Sequence, residues 1–154
     1  MRGTYTIVIS CNRSGNVRFG RLGCAKIVRG LYVYSGSGLG QGAMSIEGRI
    51  RRHSRACKTR RWHVDYLTSS RRCTVRAAIF MQSRRRLECD VNNMLVKKLK
   101  ANPTLPHIGA SDCKCGGHLM RVACFREKTL LKQIQAIYNE YRNPVYLTVP
   151  GRPK

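Results

Sequence analysis

The chain has 154 residues, 42% of them hydrophobic, enough to bury one domain's core, and no apolar run approaches the roughly 18 residues that span a bilayer. The start, "MRGTYTIVIS", lacks the apolar centre and small-residue cleavage site of a signal peptide, so a cytoplasmic protein is expected. Thirty Lys and Arg against seven Asp and Glu give a net charge of +23, with no acid before Glu47; such a chain repels itself unless a polyanion neutralises it, which makes nucleic acid the expected partner. No basic amphipathic helix with bulky apolar anchors is present, so no membrane partner is expected.

In chain order, "TYTIVIS" alternates and is rich in β-branched residues, "NRSGN" is a turn, "VRFG" and "CAKIVRG" form a short hairpin, and "LYVYSG" is another strand. From Ala43 the period changes to that of a helix, with Ile46, Ile50 and Cys57 on one stripe of "AMSIEGRIRRHSRAC". Seven of the thirteen residues from Arg49 to Arg61 are Lys or Arg, which gives this helix one strongly basic face. "RRWHVDYL" fits either period, and "CTVRAAIFMQ" reads as a strand. "LECDVNNMLVKKLK" places Leu87, Val91, Leu95 and Leu99 on one helical face and is closed by Asn102-Pro103. A polar loop then leads to "CKCGGHL", to a last core strand in "LMRVACF", and to an amphipathic helix in "EKTLLKQIQAIYNEY". The prolines and terminal charges of "RNPVYLTVPGRPK" argue against packed structure there.

Two glycine-rich nucleotide motifs are excluded. In "GLYVYSGSGLG", Gly36 and Gly38 are followed by Gln41 where a dinucleotide fingerprint needs its third glycine, and no Gly-Lys pair exists for a Walker loop. The tyrosines of this stretch carry more information. "GTY" at Gly3 to Tyr5 lies on the first strand, "YVYSGS" at Tyr32 to Ser37 on a later one, then come a helix with "GRIRRH" and another with "ECDVN". In that order, and with "RWHVDYL" and "SDCKCGGHL", the chain resembles the GIY-YIG nuclease superfamily, more closely its archaeal branch of uncharacterised function, over residues 3 to 124. The second tyrosine motif reads "YSG" rather than "YIG" and the first "GTY" rather than "GIY".

The resemblance implies an α+β fold: a small antiparallel or mixed sheet flanked by helices, with an extra β-hairpin. Residues 1–125 would be the GIY-YIG-like domain and residues 126–154 an extension of one helix and a basic tail. It also implies a site. Tyr5 and Tyr34 converge on a scissile phosphate, Arg49 stabilises the charged transition state, and Glu88 holds one divalent cation, Mg2+ or Mn2+. His53, one turn after Arg49, is placed to orient substrate or relay a proton, and Asn92, one turn after Glu88, to support it. A tyrosine titrates near pH 10 in water, so base chemistry requires a metal or arginines to lower that value.

Phosphate contacts are expected from Arg51, Arg52, Arg55, Lys58, Arg60, Arg61, Arg84, Arg85, Arg86, Arg152 and Lys154. Of the eight cysteines, Cys11, Cys24, Cys57, Cys73 and Cys124 read as reduced, small buried apolar residues. Cys113, Cys115 and His118 lie close enough in sequence to share a soft metal such as Zn2+, with Cys89 or Cys124 as a fourth ligand; the other reading is a tight glycine turn with buried thiols. Two functions follow. One is a metal-dependent endonuclease cutting structured DNA or RNA; the other is a non-catalytic rRNA-binding protein, an accessory component of the ribosome, to which the excess charge points.

Overall fold

The structure, a computed structural model, describes residues 1–110, 113–123 and 126–150. Within them the fold is α+β, with a six-stranded antiparallel sheet, a separate two-stranded hairpin and four α-helices. The β-branched alternation at the start becomes β1 (Gly3–Cys11), and β2 (Gly15–Arg18) pairs with β3 (Cys24–Ile27) as the hairpin. Next comes β4 (Gly30–Gly38), which runs through the first glycines of the glycine-rich stretch before the chain turns into α1 (Ile46–Ser54). Ser45 caps α1 by accepting from the Gly48 N–H at 3.1 Å, and Glu47 sits in its first turn where the helix dipole favours an anion. The helix ends at Ser54, so Cys57 lies beyond it and is exposed; His53, buried, takes the place expected of Cys57 on the inner stripe.

The ambiguous "RRWHVDYL" resolves as α2 (His63–Thr68), followed by β5 (Cys73–Gln82), α3 (Glu88–Leu99), a short β6 (Asn102–Pro103), β7 (Leu119–Val122) and α4 (Glu127–Asn139). The segment expected to lack packed structure contributes β8 (Val145–Thr148), which pairs with β5. Its sequence is short and proline-flanked; the free edge of β5 supplies the hydrogen-bond partners that make it a strand. Sheet order is β6-β7-β4-β1-β5-β8. Alternation divides the core into two. Tyr5, Ile7, Ile9 and Tyr34 face α1 and α2, whereas Val8, Val33, Ile79 and Met81 face α3 and α4. The C-terminal helix is part of this second core through Leu130, Ile134 and Ile137, and the buried Tyr138 hydroxyl meets Thr6 Oγ1 on β1 at 2.8 Å.

The β1–β5 register sets Cys11 opposite Cys73, and the two form a disulfide with Cα atoms 4.1 Å apart. This corrects the expectation of reduced thiols at these positions: both are buried, but they are bonded, and Cys24 is exposed rather than buried. Cys124 lies outside the described residues. A cross-link over a separation of 62 residues restricts the unfolded chain, so its reduction is expected to cost about 2–4 kcal/mol of stability. Thermal unfolding with and without dithiothreitol, with Cys11→Ser as reference, measures this.

Candidate functional site

The β4–β7 pairing stops at Tyr34–Leu119, so among the described residues the outer edge of β4 beyond Tyr34 has no strand partner. A cleft of about 310 Å³ opens there. Tyr34 and the backbone of Ser35 to Ser37 form its floor, Arg49, Arg61, Trp62 and His63 one side, and Arg86 and Glu88 another. Gly109 and His118 complete the rim. Two glycines are required by close approach. A side chain at Gly36 would run into the Tyr5 ring, and one at Gly109, which has φ +71°, would strike the Tyr34 ring.

Of the residues expected at the site, Tyr34, Arg49 and Glu88 border this cleft together. Glu88 stands at the start of α3 and accepts a hydrogen bond from the Ser37 hydroxyl. Among the described residues it is the one carboxylate of the cleft, which also holds three arginines. Arg49 lies over the Trp62 ring, 4.8 Å from its centre, as does Arg52 at 4.9 Å, so the indole face holds both guanidinium groups. Asn92 does not support Glu88; its amide donates to the Gly117 carbonyl at 2.9 Å.

Tyr5 and His53 do not border the cleft. Tyr5 is fully buried beneath Gly36, and its hydroxyl donates to His53 Nε2 at 2.9 Å. His53 in turn meets Asp65 Oδ1 through Nδ1 at 3.2 Å, which requires the Nδ1–H tautomer and leaves Nε2 as acceptor. Asp65, fully buried, is the hub that the sequence reading missed. Its Oδ2 accepts from the backbone N–H groups of Arg61 at 3.0 Å and Trp62 at 3.2 Å and from Arg52 at 3.3 Å. The signal was there: one of only seven acids, set just after Arg60 and Arg61.

Burial alone would raise the Asp65 pKa, but the hydrogen bonds from His53 and the two N–H groups outweigh it and hold the carboxyl well below the usual range. Burial pushes His53 down despite Asp65, so the imidazole is neutral near pH 7. Burial also pushes Tyr5 and Tyr34 well above the ordinary phenol value, with Arg49 offsetting only part of it. Both tyrosines are therefore hydrogen-bond donors at neutral pH, and the lowering expected from neighbouring arginines does not prevail.

Among the basic residues, Arg51, Arg55, Arg60, Arg61 and Arg84 to Arg86 are exposed, and Arg60 stacks on Tyr66. Lys58 is a correction. Its side chain is 3% exposed and points inward, donating to the carbonyls of Arg52 and His53 and to Thr68 Oγ1, 3.9 Å from Asp65. Burial brings its pKa down to about 8. Arg52 is likewise tied to Asp65. Arg152 and Lys154 lie outside the described residues. A slightly larger cavity of about 360 Å³ on the other side of α1 is mostly apolar, walled by Ile50 and Phe80. Its acid, Glu47, is bound to the N-terminal amine at 2.7 Å.

Beside that cleft, Cys89, Cys113, Cys115 and His118 bring their ligand atoms within 4.8 Å of one another, a cluster able to bind a metal ion. His118 Nε2 is 3.6 Å from Cys113 Sγ and 3.8 Å from Cys89 Sγ. Burial and the two neighbouring thiols push the Cys89 thiol up. Among the described residues, Cys89, from α3, is the fourth member of the cluster; Cys124 lies outside them. Among the described residues no helix is long and apolar enough to cross a membrane.

No curated protein and no solved structure matches the chain. Every cleft residue and every member of the Cys/His cluster falls inside residues 4–142, over which the chain matches the model of the domain of unknown function DUF123, and the chain belongs to that family.

Proposed function

We propose that the chain is a divalent-metal-dependent endonuclease that hydrolyses phosphodiester bonds in structured nucleic acid, as the resemblance to GIY-YIG nucleases implies. One observation supports this above the others: Glu88, the single carboxylate among the described residues of a polar cleft floored by a tyrosine and glycine backbone, shares that cleft with Arg49, Arg61 and Arg86. Glu88 fits the expected cation, because Mg2+ is commonly held by one or two carboxylates with water and substrate phosphates filling the remaining positions. When bound, the ion withdraws charge from the phosphoryl oxygens and the leaving group. Arg61 and Arg86 hold the flanking phosphates, and Arg49 lies where charge develops in the transition state. The protonated Tyr34 hydroxyl donates a hydrogen bond to a phosphoryl oxygen. Tyr5 is a positioning residue: with His53 and Asp65 it fixes α1 to the sheet and so sets where Arg49 stands. At the Cys/His cluster the ion is zinc, since three thiolates and one imidazole match its preferred tetrahedral donor set.

A second reading, an rRNA-binding accessory protein of the ribosome without catalysis, is favoured by the sealed Tyr5 hydroxyl and by a charge of +23. Two measurements separate the readings. Labelled branched DNA and stem-loop RNA, incubated with Mg2+ or Mn2+, are expected to be cut by the parent protein and left intact by Glu88→Ala and Tyr34→Phe. Cleavage surviving both substitutions removes this site assignment. If nothing is cut and the protein sediments with ribosomal particles on a gradient, the second reading holds instead; recovery only in the soluble fraction rejects it.

A further inference from the structure

The Cys/His cluster and the cleft share a wall. Cys89 directly follows Glu88 in the first turn of α3, and His118 is both a member of the cluster and part of the cleft rim. The other two thiols belong to the segment between β6 and β7, which carries no helix or strand in its described part and places Gly109 against Tyr34. The segment buries Ile108 and Ala110, and the His118 N–H donates to the Ile108 carbonyl at 2.6 Å and the Ser35 N–H to the His118 carbonyl at 3.3 Å. The Gly109 N–H donates to His63 Nδ1 at 3.3 Å, the His107 N–H to the Gly116 carbonyl at 3.0 Å, and Asn92 to Gly117. Three of the four ligand atoms come from this segment and one from α3. Zinc–sulfur bonds of about 2.3 Å at tetrahedral angles set sulfur atoms about 3.8 Å apart, and the four ligand atoms lie within 4.8 Å of one another, so one ion can join the segment to the helix that carries Glu88.

We propose that a zinc ion at Cys89, Cys113, Cys115 and His118 is the clamp that sets the shape of the cleft, fixing the Gly109–His118 wall against Tyr34 and Glu88 so that a nucleic-acid strand is gripped. The ion takes no part in the chemistry. Its loss loosens the wall, and binding of nucleic acid falls with it. The proposal rests on the reading of the cleft as a nucleic-acid site, but its structural half is measurable without any substrate, because Trp62, the only tryptophan, lines the same cleft.

The test uses the full chain, saturated with Zn2+ and then stripped with a chelator, followed by Trp62 emission, hydrogen exchange over residues 104–118, and binding of a fluorescent RNA stem-loop. The loaded protein is expected to hold one zinc per chain. Stripping should shift the Trp62 emission, speed exchange in the segment and weaken RNA binding at least tenfold with far-UV circular dichroism unchanged. Zn2+ but not Mg2+ should restore all three. Cys115→Ser should behave as the stripped protein, and Cys24→Ser, an exposed thiol outside the cluster, as the loaded one. Substoichiometric zinc, or stripped protein with unaltered Trp62 emission and RNA affinity, overturns the clamp; so does loss of the whole circular dichroism signal, which would make the metal a requirement for folding. Emission and exchange that respond to zinc while neither form binds RNA or DNA uphold the clamp and overturn the nucleic-acid reading.

Discussion

Arg49→Ala is expected to lower the single-turnover cleavage rate about 10²–10³-fold, the usual effect of removing one group aimed at developing transition-state charge. The reason is placement. Arg49 is the cleft arginine that α1 holds on the face of Trp62, hydrogen-bonded beside the buried Tyr5 hydroxyl, so its guanidinium is fixed at the cleft. Arg61 and Arg86 flank the cleft and continue to hold phosphates, so affinity for uncut substrate should change only severalfold. Arg49→Lys keeps the charge but not the planar fork, and is expected to recover only part of the rate. An Arg49→Ala protein that cuts normally, or that loses binding as completely as cutting, would show that Arg49 is an ordinary phosphate anchor.

The largest stability effect belongs to Asp65. Removing one partner of a buried ion pair leaves uncompensated charge and typically costs about 3–5 kcal/mol; in a chain of this size that lowers Tm by about 6–20 °C. Asp65→Asn keeps the shape but removes the charge that faces His53, Arg52 and the inward-pointing Lys58. Much of the loss should come from Lys58, left buried without a counterion, so adding Lys58→Met to Asp65→Asn should recover part of it in a double-mutant cycle. A Tm within a degree or two of the parent would exclude the hub role.

Acid should weaken the fold in two steps, with opposite chemistry behind them. His53 is held neutral in the folded state, while the unfolded imidazole protonates below about pH 6.5; stability therefore starts to fall as pH drops through that value. Asp65 has a folded pKa below its unfolded one, so its contribution is fully present above about pH 4 and is lost as pH falls below that. Denaturant unfolding between pH 3 and 8 should resolve both, and Asp65→Asn should abolish only the lower step.

Much of the architecture is local, and so it is legible in the chain. The alternation of "TYTIVIS" and "CTVRAAIFMQ" and the period of "LECDVNNMLVKKLK" reappear as β1, β5 and α3, because side-chain direction repeats every two residues in a strand and every 3.6 in a helix. Tyr34, Arg49 and Glu88 were readable from motif order, and they do meet at one cleft. Composition alone made the surface basic. Pairing across the fold was not readable. The β1–β5 register joins Cys11 to Cys73, α3 brings Cys89 to the Cys113–His118 segment, and the free edge of β5 recruits Val145–Thr148. Nor does a run of basic residues reveal which one turns inward: Lys58, in the loop after α1, does, because Asp65 on α2 lies within its reach, while Arg51 and Arg55 stay in solvent. Periodicity and charge are properties of neighbours in sequence, so the chain by itself determined most of its strands, its main helices and its strongly positive charge. Which groups become buried partners depends on contacts between segments tens of residues apart, and only the tertiary structure decided those.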